Sequence, residues 1–207
     1  MRIVALASLI AARAEAAGLS PTADVVRDCS LYVELLAKWN RKTNLTSLAI
    51  APPSAEAIDR LIVEPLIAAR ELTSDDRVVV DLGSGGGSPA IPLAIAARHV
   101  HLTMVEVREK KAAFLREAAR VTALNAVVAV GRVEDLTLRD AHVITARAIM
   151  LNDQICSVIV RALSLPGRFF WFGSATAALE QRVPVGLQAP QEVPLPGGGM
   201  LTISHKG

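Results

Sequence analysis

The sequence predicts an α/β protein: a mostly parallel sheet covered by helices on both faces, preceded by an N-terminal helical extension. Three observations carry that expectation. From residue 76 onward, apolar runs of strand length alternate with helical stretches or long connections, the pattern of a buried parallel sheet. Residues 1–75 instead space their apolar positions at helical intervals. Finally, "VVVDLGSGGGSPAIP", residues 78–92, ends a strand in a glycine cluster and reopens as a helix. Open α/β sheets hold their ligands at such junctions.

The chain has 207 residues, which suits a helical extension over 1–75 packed on a core over 76–207. Hydrophobic residues make up 52% and charged ones 20%, a globular balance. The net charge of +2 is low for a sequence-blind duplex binder, so any RNA contact falls to a local patch. Cys29 and Cys156 lack metal-like spacing and read as buried thiols in a reducing, cytoplasmic setting.

Element by element, "MRIVALASLIAARAEAAG" loosely imitates a signal peptide. Ile3, Leu6, Leu9, Ile10 and Arg13 fit an amphipathic helix better, because charges arrive before any cleavage site. Ser20 and Pro21 are placed to open the next helix. Its buried stripe is Val25, Val26, Cys29, Tyr32, Val33, Leu36 and Trp39, with Asp24, Arg27, Asp28, Glu34, Lys38 and Arg41 opposite. Trp39 on that stripe reads as core rather than as a stacking platform. A further helix from Ser54 turns Ile58, Leu61, Ile62, Leu66 and Ile67 inward, and Pro65 should kink or divide it. Strands are expected at Val78–Leu82, Leu102–Val105, Ala126–Val130, His142–Thr145 and Phe169–Phe172. The tail then reads as an antiparallel edge pair joined at "GGG". No run reaches the length of a membrane span.

Gly83, Gly85, Gly86 and Gly87 let the main chain approach a ligand, and Pro89 and Pro92 suit the start of the following helix. A dinucleotide site wants G-x-G-x-x-G/A, but Ser88 stands at the third position. Asp81, just before the loop, is poorly placed beside a pyrophosphate. It suits the ammonium and sulfonium of S-adenosylmethionine. Glu106, closing the next strand, can accept hydrogen bonds from ribose hydroxyls. "GRVED" after the third strand can frame an adenine. Their order on three successive strands favours a methyl donor.

The stretches "LLAKWNRKTNLTS", "VVDLGSGGGSPAIPLAI", "MVEVREKKAAFLREAAR", "GRVEDL" and "ITARAIMLND" resemble the bacterial small-subunit ribosomal RNA methyltransferase G family, also called glucose-inhibited division protein B. The similarity is strongest over residues 31–174, and "KWNRKTNLTS" is its most specific element. The resemblance implies a Rossmann-like class I S-adenosylmethionine-dependent methyltransferase with a seven-stranded sheet. It implies methylation of guanine N7 in 16S rRNA of the small ribosomal subunit by a cytoplasmic monomer. Donor contacts fall on Gly83, Ser88, Val133, Glu134 and Arg147, joined by Asp81, Gly85 and Glu106. Arg41 and Asn44 fall on the substrate side, with Arg41, Lys42, Lys110, Lys111 and Arg116 on RNA phosphates.

An ion pair at the sheet edge is the plainer reading of Arg147. Lys111 shares the stripe of Leu115, Ala118 and Thr122 and so faces the site. The sequence departs from the family pattern at Leu61, Glu64 and Pro65, at Ser88 and Ala90, and at Phe172, where a lysine is usual. A guanine N7 lone pair needs no prior deprotonation. That agrees with a sequence offering no His–carboxylate arrangement and no metal-ligand cluster, and proximity would then supply the rate. Two other readings share the scaffold. A small-molecule methyltransferase leaves "KWNRKTNLTS" unexplained; a non-catalytic S-adenosylmethionine- or RNA-binding protein draws on the departures at Leu61, Pro65 and Phe172.

Overall fold

The computed structural model describes residues 3–174 and 183–207. Helix α1 (Ile3–Ala16) lays Leu6, Ile10 and Ala14 against α2 (Ala23–Thr43) and the π turn described below. Its Arg13 pairs with Asp59 at 2.6 Å. The side chain of Ile3 lies outside the described residues.

Helix α2 opens later than Ser20 and Pro21 suggest. Thr22 is the cap, in extended backbone, accepting the Val25 N–H at 3.4 Å, and Pro21 stays in the connection. Ser, Pro and Thr are all plausible openers, and only the backbone conformation chooses among them. Cys29, Tyr32, Val33 and Leu36 are buried as the stripe predicts. Trp39 belongs to the core, lying edge-on to Phe114 at 5.9 Å between centroids. Asp28 departs from its expected wet face: it is buried between the guanidinium groups of Arg27 and Arg98. Paired charges offset its desolvation, and Arg98 is too distant in sequence to foresee.

Ser54 caps the next helical run, accepting the Ala57 N–H at 3.0 Å. The run comprises α3 (Ala55–Ile58), a π-helical turn at Asp59–Val63, and α4 (Glu64–Ala69). Pro65 does not end it. The disruption falls upstream, as the π turn, because proline lacks an N–H and crowds the preceding turn.

Among the described residues, seven strands form one sheet: β1 (Val78–Leu82), β2 (His101–Glu106), β3 (Ala126–Val130), β4 (Ala141–Arg147), β5 (Leu163–Ser174), β6 (Gln191–Leu195) and β7 (Gly199–Lys206). Their order is β3-β2-β1-β4-β5-β7-β6. The first five run parallel, and β7 pairs antiparallel with both β5 and β6. Side chains alternate between two cores. Val79, Leu102, Met104 and Val143 join α1 to α4, α5 (Ala90–Ala96) and α6 (Glu109–Val121) on one face. Val80, Leu82, Val105 and Ile144 join α7 (Asp153–Ala162) on the other. The strand β5 starts earlier than the Phe169–Phe172 run suggests, across a register shift against β4. Both cysteines are buried and no disulfide joins them, burial pushing the Cys29 thiol up to about 12.

Candidate functional site

The strand order reverses between β1 and β4, and the glycine loop leaves the sheet there. Gly83, Gly85 and Gly87 have φ of +69°, +51° and +86°, which side chains with a Cβ rarely adopt. The glycines divide by what surrounds them. A Cβ on Gly87 would lie 2.5 Å from Ile91 Cδ1, and one on Gly86 3.0 Å from the Leu45 carbonyl oxygen. Those two permit close packing. At Gly83 and Gly85 the nearest atoms are 3.7 Å away, leaving a cradle that a ligand can fill.

The loop is held from three sides. Tyr32 on α2 donates its hydroxyl to the Gly86 carbonyl at 2.6 Å. Ser84 N–H donates to the Val105 carbonyl at 2.9 Å. Glu106, at the end of β2, accepts the Gly85 N–H on Oε2 at 2.9 Å and the Arg108 N–H on Oε1 at 2.8 Å. Each carboxylate oxygen keeps a lone pair that ribose hydroxyls can use. Beneath the loop, Asp81 accepts the Thr145 hydroxyl on Oδ1 at 2.5 Å, while its buried Oδ2 has no hydrogen-bond partner among the described residues. Burial raises its carboxyl to about 6, against the opposing Ser84 and Thr145 hydroxyls and the Arg147 charge. An orphaned carboxylate oxygen of this kind fits an ammonium group, as S-adenosylmethionine provides.

Past β3, the Gly131 N–H donates to the Glu106 carbonyl at 3.2 Å, so "GRVED" starts beside Glu106. Val133 is buried in a short 3-10 turn, and half-buried Glu134 lies 3.6 Å from Arg132. Arg147 ends β4 with its guanidinium engaged by protein groups. Nη2 donates to Glu64 Oε2 at 2.6 Å, Nη1 donates to the Arg60 carbonyl at 2.5 Å, and the group stacks 4.7 Å from the Phe172 ring centroid. Arg147 therefore does form an ion pair, but a buried one on a central strand rather than a pair at the sheet edge. The residues at the departures Glu64 and Phe172 both touch it. Burial raises the Glu64 carboxyl and lowers the Arg147 guanidinium, and each partner's charge opposes the other's shift.

A cavity of about 490 Å³ opens over the loop, lined by Gly83, Gly85, Ser88, Arg60, Lys111, Arg147 and residues 45–48. Arg147 and Lys111 thus reach the site. Lys110 and Arg116 are exposed outside it, Arg116 lying 3.7 Å from Glu109. Arg41, Lys42 and Asn44 are exposed at the end of α2 and do not line this cavity. Arg41 borders a separate one beside Leu6 and Ile50. Asn44 is the left-handed residue ending α2, at φ 47°. The residue that shapes the segment is Asn40, which the sequence did not single out. Its Oδ1 accepts the Leu45 and Thr46 N–H groups at 2.6 and 2.9 Å, and its Nδ2 donates to the Thr46 carbonyl at 2.9 Å. Asparagine commonly closes turns this way, so its place at the helix end was the available signal. Tyr32 and Thr145 were also missed as site residues, since nothing local distinguishes them from core.

None of the four histidines lines the cavity; His142, for example, accepts the Val78 N–H at 3.2 Å. Among the described residues there is no cluster suited to a metal ion and no helix long and apolar enough to cross a membrane.

The strand order, the glycine loop after β1, and the acids on β1 and β2 define a Rossmann-like class I S-adenosylmethionine-dependent methyltransferase. A family model for rRNA small subunit methyltransferase G matches residues 26–183. The ribosomal RNA small subunit methyltransferase G of Granulibacter bethesdensis is 37% identical over 166 residues, covering 79% of this chain and 75% of that protein. Its counterpart from Ralstonia nicotianae is 43% identical over 129 residues, covering 59% and 58%. A SAM dependent methyltransferase from Aquifex aeolicus shares the fold, with a TM-score of 0.60 at 12% identity over 84% of this chain and 98% of that one. The chain belongs to the rRNA small subunit methyltransferase G family.

Proposed function

We propose that this chain methylates N7 of one guanine in the 16S rRNA of the small ribosomal subunit. The observation that carries the reading is the two-sided cavity. One wall is the loop from Gly83 to Ser88, and the other is residues 45–48 of the "KWNRKTNLTS" segment. The donor wall and the most family-specific stretch thus meet at one opening. S-adenosylmethionine supplies the sulfonium methyl that the acceptor nitrogen attacks.

The chain's own residues bind and orient. Asp81 neutralises the donor ammonium, Glu106 holds the ribose, and Val133 and Glu134 border the adenine. Gly83, Gly85, Ser88 and Arg147 shape the rest of the donor cradle. Lys111 faces the incoming nucleotide, while Arg41, Lys42, Lys110 and Arg116 grip phosphates around it, with Asn44 on the substrate side. RNA bases offered to such pockets are unstacked first. Proximity and orientation carry the rate, because N7 has no proton to lose. In this reading residues 1–75 cover the donor core formed by 76–207, and the protein works as a cytoplasmic monomer.

The test is to incubate the protein with labelled S-adenosylmethionine and small subunits lacking their native N7-methylguanosine, then map the label. Label in a single guanine is expected. Transfer to metabolites without RNA label, or donor binding without turnover, would reject the acceptor assignment.

A further inference from the structure

Pro65 follows the π turn in the helical run that flanks the donor cavity, and the two carbonyls its missing N–H could have reached, Leu61 and Arg60, both accept side-chain donors. Proline carries no N–H. An α-helical residue 65 would donate to Leu61, four positions earlier, and a π-helical one to Arg60, five earlier. The π pattern operates immediately before it, where the Glu64 N–H donates to the Asp59 carbonyl. Side chains from across the cavity take both acceptors. Ser88 Oγ donates to the Leu61 carbonyl at 3.0 Å, and Arg147 Nη1 donates to the Arg60 carbonyl at 2.5 Å. Ser88 and Arg147 both line the cavity. The neighbouring Glu64 completes the receptor by accepting Arg147 Nη2.

We propose that Pro65 is a positioning residue. By withholding an N–H that could reach either one, it removes a competitor for the Leu61 and Arg60 carbonyls, the docking points that fix Ser88 and Arg147 at the donor cavity. The assignment rests on the methyl-donor reading of that cavity. An ordinary helical residue at 65 would bring its own donor into competition for the same acceptors. The glycine loop and β4 would then each lose one of their ties to the N-terminal helices. In the native protein each of the two carbonyls has a side-chain donor, and both donors line the donor cavity.

Pro65→Ala tests this, because alanine restores the N–H and favours helix. The Arg147 side-chain N–H protons should exchange faster by NMR. S-adenosylmethionine should bind about tenfold more weakly by calorimetry, the order of one charge-assisted hydrogen bond. The melting temperature should be unchanged or higher. Adding Ser88→Ala should then weaken binding less than it does in the native background, since Ser88 has already lost its exclusive dock. Native exchange with native donor affinity in Pro65→Ala would overturn the proposal. So would a fall in melting temperature large enough to account for the affinity loss. Every readout uses the donor or the protein alone, so a failure to methylate rRNA leaves the proposal standing. If the native protein binds no donor, the cavity reading fails, and the exchange measurement still decides whether Pro65 positions Arg147.

Discussion

Tyr32 donates its hydroxyl to the carbonyl of Gly86 across 2.6 Å, linking the second N-terminal helix to the glycine loop. Burial pushes the Tyr32 pKa up, so the group stays a donor at every working pH. Tyr32→Phe keeps the ring in the core and removes only the bond. It should cost about 1 kcal/mol in urea denaturation and weaken donor binding through a looser loop. Native donor affinity with lost stability would show that the contact serves folding alone.

The proposed contact of Asp81 with the donor ammonium would make donor binding depend on pH. Its folded carboxyl sits at about 6, above the unfolded value of about 3.9. The folded state therefore binds this proton more tightly. The group's stabilising contribution is fully present below about pH 4 and is lost as pH rises through about 6. Donor binding runs the other way, because an ammonium needs the carboxylate. Calorimetry should show S-adenosylmethionine affinity rising from about pH 5 to about pH 7. Asp81→Asn should bind weakly and flatly over that range. A native affinity without this rise would refute the ammonium contact.

Glu106 carries two loads, the Gly85 and Arg108 N–H groups and the proposed ribose. Glu106→Ala removes both and should weaken S-adenosylmethionine by about tenfold to a hundredfold, the range for hydrogen bonds to a charged group. Glu106→Gln keeps one acceptor oxygen and should fall between. Unchanged calorimetric affinity in Glu106→Ala would remove the ribose assignment.

Asn40 should separate the two substrates. It orders Leu45 and Thr46 through three hydrogen bonds, on the cavity wall opposite Gly83 and Gly85, where Leu45 also packs on Gly86. Asn40→Ala should raise KM for small subunits while leaving donor affinity nearly native. Steady-state kinetics against each substrate checks this. An equal rise in both KM values would mean that the segment braces the whole cavity instead of the RNA side.

These residues mark what local pattern reveals. Val78–Leu82 and Ala126–Val130 match the observed strands residue for residue, because buried parallel strands are short, apolar and bounded by turns. The placement of Asp81 and Glu106 beside the glycine loop was also readable, since both are acids that end or interrupt apolar strands next to it. The partners were not. Tyr32 with Gly86, Asp28 with Arg98, and Arg147 with Glu64 are joined only by the folded chain. Each side chain alone looks like core or surface. Helix boundaries failed for a different reason, since Ser20, Pro21 and Thr22 carry overlapping signals.

The proposed RNA grip is electrostatic and should appear in its salt dependence. Lys42, Lys110, Arg41 and Arg116 are exposed, and Lys42 and Lys110 form no ion pair among the described residues. Each phosphate contact releases counterions, contributing about 0.7 to the slope of log affinity against log salt for single strands. Lys42→Ala and Lys110→Ala should each flatten that slope by about this amount, and the double variant by about twice as much. Donor affinity should not change, because neither side chain lines the donor cavity. Filter binding of small-subunit RNA across a salt series gives the slopes. A lysine whose removal lowers affinity without flattening the slope contacts something other than phosphate. If neither slope moves, the RNA lies on another face, and the cavity mouth between residues 45–48 and Lys111 would need a different approach path.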